Sequence, residues 1–161
     1  MIKLRPFRES DLETYRGWVN DPEIMRLAGR DRPVTEAEHK VWYCKLITDL
    51  NAAVFAIDVD GGYIGNVWLW NIDSLHQKAE VRIIIGKRHG LGYGTEALEL
   101  ISFHAFKDLD LNRLYAYVFS YNKRAKGAFE QAGFKKEGLL KSDRIIGGKY
   151  VDTFIMARIN G

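Results

Sequence analysis

The sequence predicts an α/β (α+β) fold: a single mixed, mostly antiparallel twisted sheet of about six or seven strands, with about four helices on its faces. Three observations carry this. Short apolar runs recur along the chain, and two pairs of them are joined by glycine turns, at Gly61-Gly62 and Gly147-Gly148, as hairpins are. Two Ser/Thr-x-x-Glu patterns, the signature of a capped helix start, precede stretches with helical spacing. Residues 79–119 run strand, glycine-rich turn, helix, strand, a connection long enough to permit parallel pairing.

The elements follow in order. Ile2–Phe7 reads as the first strand, and Ser10-x-x-Glu13 then caps a helix whose buried positions are Leu12, Tyr15 and Val19. Thr35-x-x-Glu38 caps a second helix over residues 36–50, with His39, Trp42, Tyr43, Leu46, Ile47 and Leu50 as its buried stripe. Ala53–Asp58 and Tyr63–Asn71 form a hairpin, Ala79–Ile85 is the next strand, and residues 93–107 are a long helix. Leu114–Phe119 is apolar at every other residue and between, which predicts a central strand covered on both faces. Asn122 starts a helix with the stripe Ala125, Phe129, Ala132, stopped by Gly133. Lys135–Lys141 and Tyr150–Arg158 close the sheet.

Composition narrows the function classes. A chain of 161 residues, 47% hydrophobic, is the size and make-up of one ordinary globular domain spanning residues 1–161. A net charge of +3 with scattered cations does not point to nucleic acid. The single cysteine, Cys44, excludes an intrachain disulfide and suits a reducing cytoplasm. The start Met-Ile-Lys-Leu-Arg-Pro has no apolar signal region, and no run approaches membrane-spanning length. No His/Cys/Asp spacing suggests a metal.

The most informative stretch is His89-Gly90-Leu91-Gly92-Tyr93-Gly94-Thr95, between the apolar run Val81–Ile85 and the helix from 93. Its position turns unpaired backbone N–H groups and the positive helix end toward an anion, and its glycines let a phosphate approach the backbone. A Walker loop is excluded because no Gly-Lys-Ser/Thr occurs. A dinucleotide fingerprint would place its third glycine at Thr95 and an acidic residue after Phe119, where Ser120 and Tyr121 stand.

His89-x-x-Gly92-x-Gly94 resembles the Q/R-x-x-G-x-G/A acetyl-CoA loop of the GNAT N-acetyltransferases. Asn122-Lys-Arg-Ala125-Lys-Gly-Ala-Phe129-Glu-Gln-Ala-Gly133-Phe134, with Glu137-Gly138, is similar to the family's N-x-x-A-x-x-x-Y-E-K-x-G-F-x-x-E-G segment. Leu4-Arg-Pro, Asn20-Asp21-Pro22-Glu23 and Gly148-Lys149-Tyr150-Val151-Asp152 resemble the branch that holds ribosomal-protein N-terminal acetyltransferases, whose pattern diamine and amino-sugar acetyltransferases share.

The resemblance implies a GNAT fold and direct transfer of acetyl from acetyl-CoA to a primary amine: a protein N-terminus, a polyamine or an amino sugar. It places pantetheine along Ile83, Ile84 and Ile85 and the pyrophosphate on His89, Gly90, Leu91, Gly92, Tyr93, Gly94 and Thr95. Lys123, Arg124 or Lys126 would meet the adenosine phosphate, and Asn122 and Phe129 would border the cofactor. Glu80, in Lys78-Ala-Glu80-Val-Arg82, resembles the diamine acetyltransferase segment; it reads as a base acting through water or as a holder of a cationic acceptor, with pairing to Arg82 on the same face as the plain alternative. Asn122 is also a good helix cap. Glu36, Glu38, Asp73 and Glu80 are the residues that an acidic acceptor cleft would draw on, and Trp68 and Trp70 share one strand face, as core or as cleft wall. Family members often form homodimers.

Two departures stand out. His89 replaces the usual Gln or Arg, and Phe129 replaces the family's tyrosine, which protonates the departing thiolate. Phenylalanine cannot donate a proton; Tyr121, Tyr150 or a water near Asn122 are the candidate substitutes. The alternative reading is therefore a weakly catalytic acetyl-CoA-binding sensor. No metal, nucleic acid or membrane enters either reading.

Overall fold

The computed structural model describes residues 1–161. In chain order it contains β1 (Ile2–Pro6), α1 (Leu12–Val19), α2 (Pro22–Leu27), α3 (Glu36–Thr48), β2 (Ala53–Val59), β3 (Gly62–Asp73) and β4 (Lys78–Ile85). Then come α4 (Tyr93–Lys107), β5 (Arg113–Phe119), α5 (Lys123–Gln131), β6 (Lys135–Ile146) and β7 (Lys149–Ile159). The strands form one sheet in the order β1-β2-β3-β4-β5-β7-β6. All neighbours are antiparallel except β4 and β5, which run parallel across the α4 connection. No helix is long and apolar enough to cross a membrane.

One face of the sheet is the main core. Side chains such as Ile57, Ile64, Val67, Val81 and Leu114 alternate inward from the strands and meet Leu98 and Ile101 of α4 and Phe129 of α5. The other face is covered only in part. There α1 and α3 bury Phe7, Leu12, Tyr15 and Val19 beneath Trp18, Trp42 and Tyr43. Beyond β4 this face stays open: the β5 burial pattern alternates, Tyr117 being 51% exposed while Ala116 and Val118 are buried. The expectation of a strand covered on both sides is thus corrected, because no helix packs over Tyr115 and Tyr117.

Three other expectations are corrected. The Ser10–Glu13 capping box does not form; Asp11 instead receives the Arg8 backbone N–H at 2.9 Å and a two-pronged ion pair from Arg5. Arg5 also reaches Asp58, so this side chain joins β1, β2 and the start of α1. Burial is the largest influence on Asp11 and opposes its charge, but the Arg5 hydrogen bonds, the Arg8 N–H and the charges of both arginines together outweigh it and hold the carboxyl below its usual range. The second helix ends at Thr48, whose hydroxyl donates back to the Cys44 and Lys45 carbonyls, which leaves Leu50 outside it; Leu50 and, within the helix, Ile47 are exposed. The first hairpin turns on Asp60-Gly61, both at positive φ, since Val59 pairs with Gly62.

A fifth helix, α2, had a readable signal. Asp21 caps it by accepting the Glu23 and Ile24 N–H groups, and Pro22 occupies its first turn. By contrast the Thr35 cap of α3, accepting from Glu38 N–H at 3.1 Å, matches the sequence pattern.

His39 is 4% exposed and stacked between Tyr15 and Trp42, with ring centroids 5.3 and 4.9 Å away. Burial, then the charges of Arg16 and Arg30, push its pKa down to about 4. An unfolded histidine titrates near 6.5, so between about pH 6.5 and 4 the unfolded chain binds a proton that the folded chain does not. The stability contribution is complete above pH 6.5 and is lost as pH falls toward 4. The urea midpoint of the wild type should therefore drop across this window, and in His39→Phe that component of the drop should vanish.

Candidate active site

Only three rungs of parallel pairing join β4 to β5, the last being Glu80 opposite Tyr115. Past it each strand stays paired on its outer side, β4 with β3 to Ile85 and β5 with β7 to Phe119. The inner edges of Val81–Ile85 and Ala116–Phe119 therefore diverge with backbone groups unpaired. Such groups are costly when dry and invite a ligand that can bond to them.

The wedge opens onto a cleft of ≈ 430 Å³. Its apolar end is formed by Ile83, Ile84 and Ile85 of β4, by Ile24 and Leu27 of α2, and by Ala28 just after it. Its polar end is formed by the 88–95 loop and by Asn122, Lys123 and Arg124 at the start of α5. Gly94, Gly127 and Ala128 keep the α4–α5 side of the cleft shallow enough to admit a ligand.

The loop presents a run of free backbone donors. None of the backbone N–H groups from Arg88 to Thr95 meets an acceptor within the chain, and the first bond of α4 is Glu96 N–H to the Gly92 carbonyl. Gly90 and Gly92 stand at φ +76° and +82°, and Gly92 caps the helix without a side chain. The root of the loop is fixed by Gly86, whose N–H donates to Ile64 at 2.7 Å. A Cβ there would lie 1.9 Å from the Trp18 indole, so α1 rests directly on the end of β4.

Of the three expected cations, two face the cleft. Lys123 and Arg124 line it, whereas Lys126 pairs with Glu130 at 2.6 Å and lies over the Phe154 ring. Arg124 donates to His89 Nδ1, an arrangement that puts the histidine proton on Nε2 and leaves that N–H free to donate. Leu91 is 61% exposed and does not line the cleft, unlike Gly90, Gly92, Tyr93, Gly94 and Thr95. Thr95 Oγ1 donates to Gln131, tying α4 to α5.

Asn122 is the α5 cap, accepting Ala125 N–H at 3.1 Å, and its amide lies 3.5 Å from the Leu27 carbonyl on α2. Phe129 is 3% exposed, edge-on to Phe134 within the core, and is not part of the cleft wall. The proposed stand-ins for its missing hydroxyl lie elsewhere: Tyr121 donates to the Arg26 carbonyl at 2.5 Å, and Tyr150 is 73% exposed on the β6–β7 hairpin.

Glu80 occupies the apex of the wedge. It is buried, and its Oε2 accepts Arg82 Nε–H at 2.6 Å. Trp70 is its β3 neighbour and Tyr115 its β5 neighbour, so an aromatic-lined carboxylate looks onto the open sheet face. Burial, then the charge of Glu80, push the Tyr115 phenol above its usual range. The other acidic residues do not join it. Glu36 pairs with Lys40, Glu38 with Arg32, and Asp73 holds the His76 N–H in its own turn. Sequence reasoning missed the α2 wall, Arg88 and the Tyr115–Tyr117 face.

Residues 2–135 match the model of the acetyltransferase (GNAT) domain family. The chain is 32% identical to the spermidine N(1)-acetyltransferase of Escherichia coli (strain K12), over 96% of this chain and 84% of that protein. It is 30% identical to the putative ribosomal N-acetyltransferase YdaF of Bacillus subtilis (strain 168), over 65% of this chain and 57% of that protein. It superposes on the crystal structure of spermidine N-acetyltransferase from Vibrio cholerae in complex with CoA and spermine with a TM-score of 0.90, 28% identity, and coverage of 98% and 95% of the two chains.

The cation geometry gives a test by titration with CoA. Arg124→Ala should weaken CoA binding roughly three- to tenfold, the size of one charge-assisted phosphate contact. Lys126→Ala, whose cation is engaged by Glu130, should change it by less than about twofold.

Proposed function

This chain belongs to the GNAT acetyltransferase family and is an acetyl-CoA-dependent N-acetyltransferase; we propose that its acceptor is a linear polyamine of the spermidine type and that Glu80 is its general base. The observation that carries the acceptor assignment is the aromatic-walled carboxylate at the wedge apex. Glu80, Trp70 and Tyr115 offer an ammonium group both a counter-charge and ring faces, and a cation already sits there in Arg82, 5.1 Å above the Trp70 ring. The similarity to the Escherichia coli spermidine enzyme extends over 96% of this chain, that to the putative ribosomal enzyme over 65%.

The two substrates approach from opposite sides of the wedge. The anion loop and the cations of α5 hold the phosphates, the isoleucine edge of β4 carries the pantetheine arm, and the thioester comes to rest near the apex. The unpaired β4 N–H groups polarise its carbonyl and stabilise the oxyanion as the amine attacks. The amine, entering over the open face, loses its proton to Glu80 directly or through a water. The C–N bond forms first, giving the tetrahedral oxyanion. Its collapse re-forms the carbonyl and breaks the C–S bond, the second nitrogen proton passes to solvent water, and CoA leaves as thiolate. With Phe129 in the tyrosine position, this departure proceeds without a donor from α5, which a thiol of ordinary pKa near 8.5 tolerates.

The test is CoA release from acetyl-CoA with spermidine, an aminoglycoside, and peptides with free N-termini. Spermidine should support the highest kcat/KM. Glu80→Gln should lower kcat by about 10²–10⁴-fold with a smaller change in KM, the signature of a lost base. Preference for the peptides would overturn the acceptor assignment, and a change in KM alone would reduce Glu80 to a binding role.

A further inference from the structure

Arg82 stands one step past the last β4–β5 rung, on the same sheet face as Glu80 and Trp70. It is held differently from the structural arginines of this protein. Arg5 makes two hydrogen bonds to Asp11 and a third to Asp58, and its side chain is only 15% exposed. Arg113 makes two to Glu137. Arg82 makes a single hydrogen bond, from Nε to Glu80, and rests its guanidinium on the Trp70 ring. Its side chain is 47% exposed against 9% for Glu80, so the cation lies over the carboxylate from the solvent side.

The two contacts that Arg82 makes are the two that an acceptor ammonium needs: the Glu80 oxygen and the Trp70 face. Arg82 holds Glu80 through Oε2, so an ammonium takes that oxygen and the Trp70 face only once the guanidinium has left them. Resting on the polyamine reading above, we propose that Arg82 is a resident cation in the acceptor site, which an incoming ammonium displaces before it reaches Glu80. The guanidinium then swings to solvent on its flexible stem, at little cost because it is already half exposed. Arg82 is a specificity residue in this account. It sets a threshold that a polycation, with several ammonium groups near the site, crosses more easily than a monoamine does. In the unliganded enzyme it also keeps the buried Glu80 charge paired.

Two measurements on Arg82→Met and Arg82→Lys decide this. The first is the spermidine KM. It should fall roughly tenfold in Arg82→Met, with the change on KM rather than kcat, and return toward the wild-type value in Arg82→Lys. The second is tryptophan fluorescence titration with n-butylammonium, in the absence of acetyl-CoA. The same roughly tenfold tightening should appear in Arg82→Met, with the signal lost in a Trp70→Phe background. A KM and a butylammonium affinity that stay unchanged, or that worsen in Arg82→Met, would overturn the proposal in favour of a purely structural ion pair. Should spermidine prove not to be a substrate, the polyamine reading fails, and the butylammonium titration alone decides the role of Arg82.

Discussion

β4 and β5 are held together by three rungs and then let go, and that separation is the constraint on which the rest of the structure depends. A parallel pair is free to diverge only if each strand has a firm partner on its other side. Here β3 supports β4 as far as Ile85, and β7 supports β5 as far as Phe119. The core beneath α4 and α5 holds both strands from one face. The inner backbone edges are thus rigid and unpaired at the same time. They form a site that costs no reorganisation when a ligand completes it.

From that wedge the other features follow by position. The strand that diverges leads into the glycine loop, so its free N–H groups lie at the outer end of the cleft. The strand that answers it ends at Asn122, so the α5 cations face the same loop. The last rung places Glu80 at the apex, with the cleft on one side and an open aromatic face on the other. Trp18, pressed on Gly86, and Asn122, reaching Leu27, lock α1 and α2 onto this frame from the face that α4 does not cover.

Much of this was legible in the sequence, because local signals and tertiary needs agree there. The bounds of α4 are those expected, since Gly92 ends the loop and the apolar spacing begins at once. Asn122 and Gly133 bracket α5 for the same reason. The failures have identifiable causes. Ser10 offered a cap, but Arg5, reaching over from the end of β1, recruited Asp11 instead. Leu50 fits a helical stripe, yet the chain leaves the helix at Thr48, and Ile47, still within it, points to solvent. Leu114–Phe119 is apolar enough for a covered strand, and only the absence of a helix over Tyr115 and Tyr117 leaves that face open. Within the site, Lys123, Arg124 and Lys126 are indistinguishable as sequence. Glu130 decides between them, through an i, i+4 pair with Lys126. Phe129 lies in the core, as its place in the Ala125, Phe129, Ala132 stripe indicated, and not on the cofactor cleft that the resemblance implied for it.

The central claim is that the unpaired edges of the wedge and loop are the cofactor site. Amide hydrogen exchange with and without CoA tests it most directly, because it reads those N–H groups themselves. The account predicts strong new protection on binding for residues 88–95 and for the β4 stretch 81–85, with the already paired β2 and β7 amides unchanged. Unaltered exchange at 88–95, or protection gathered on another surface, would contradict it.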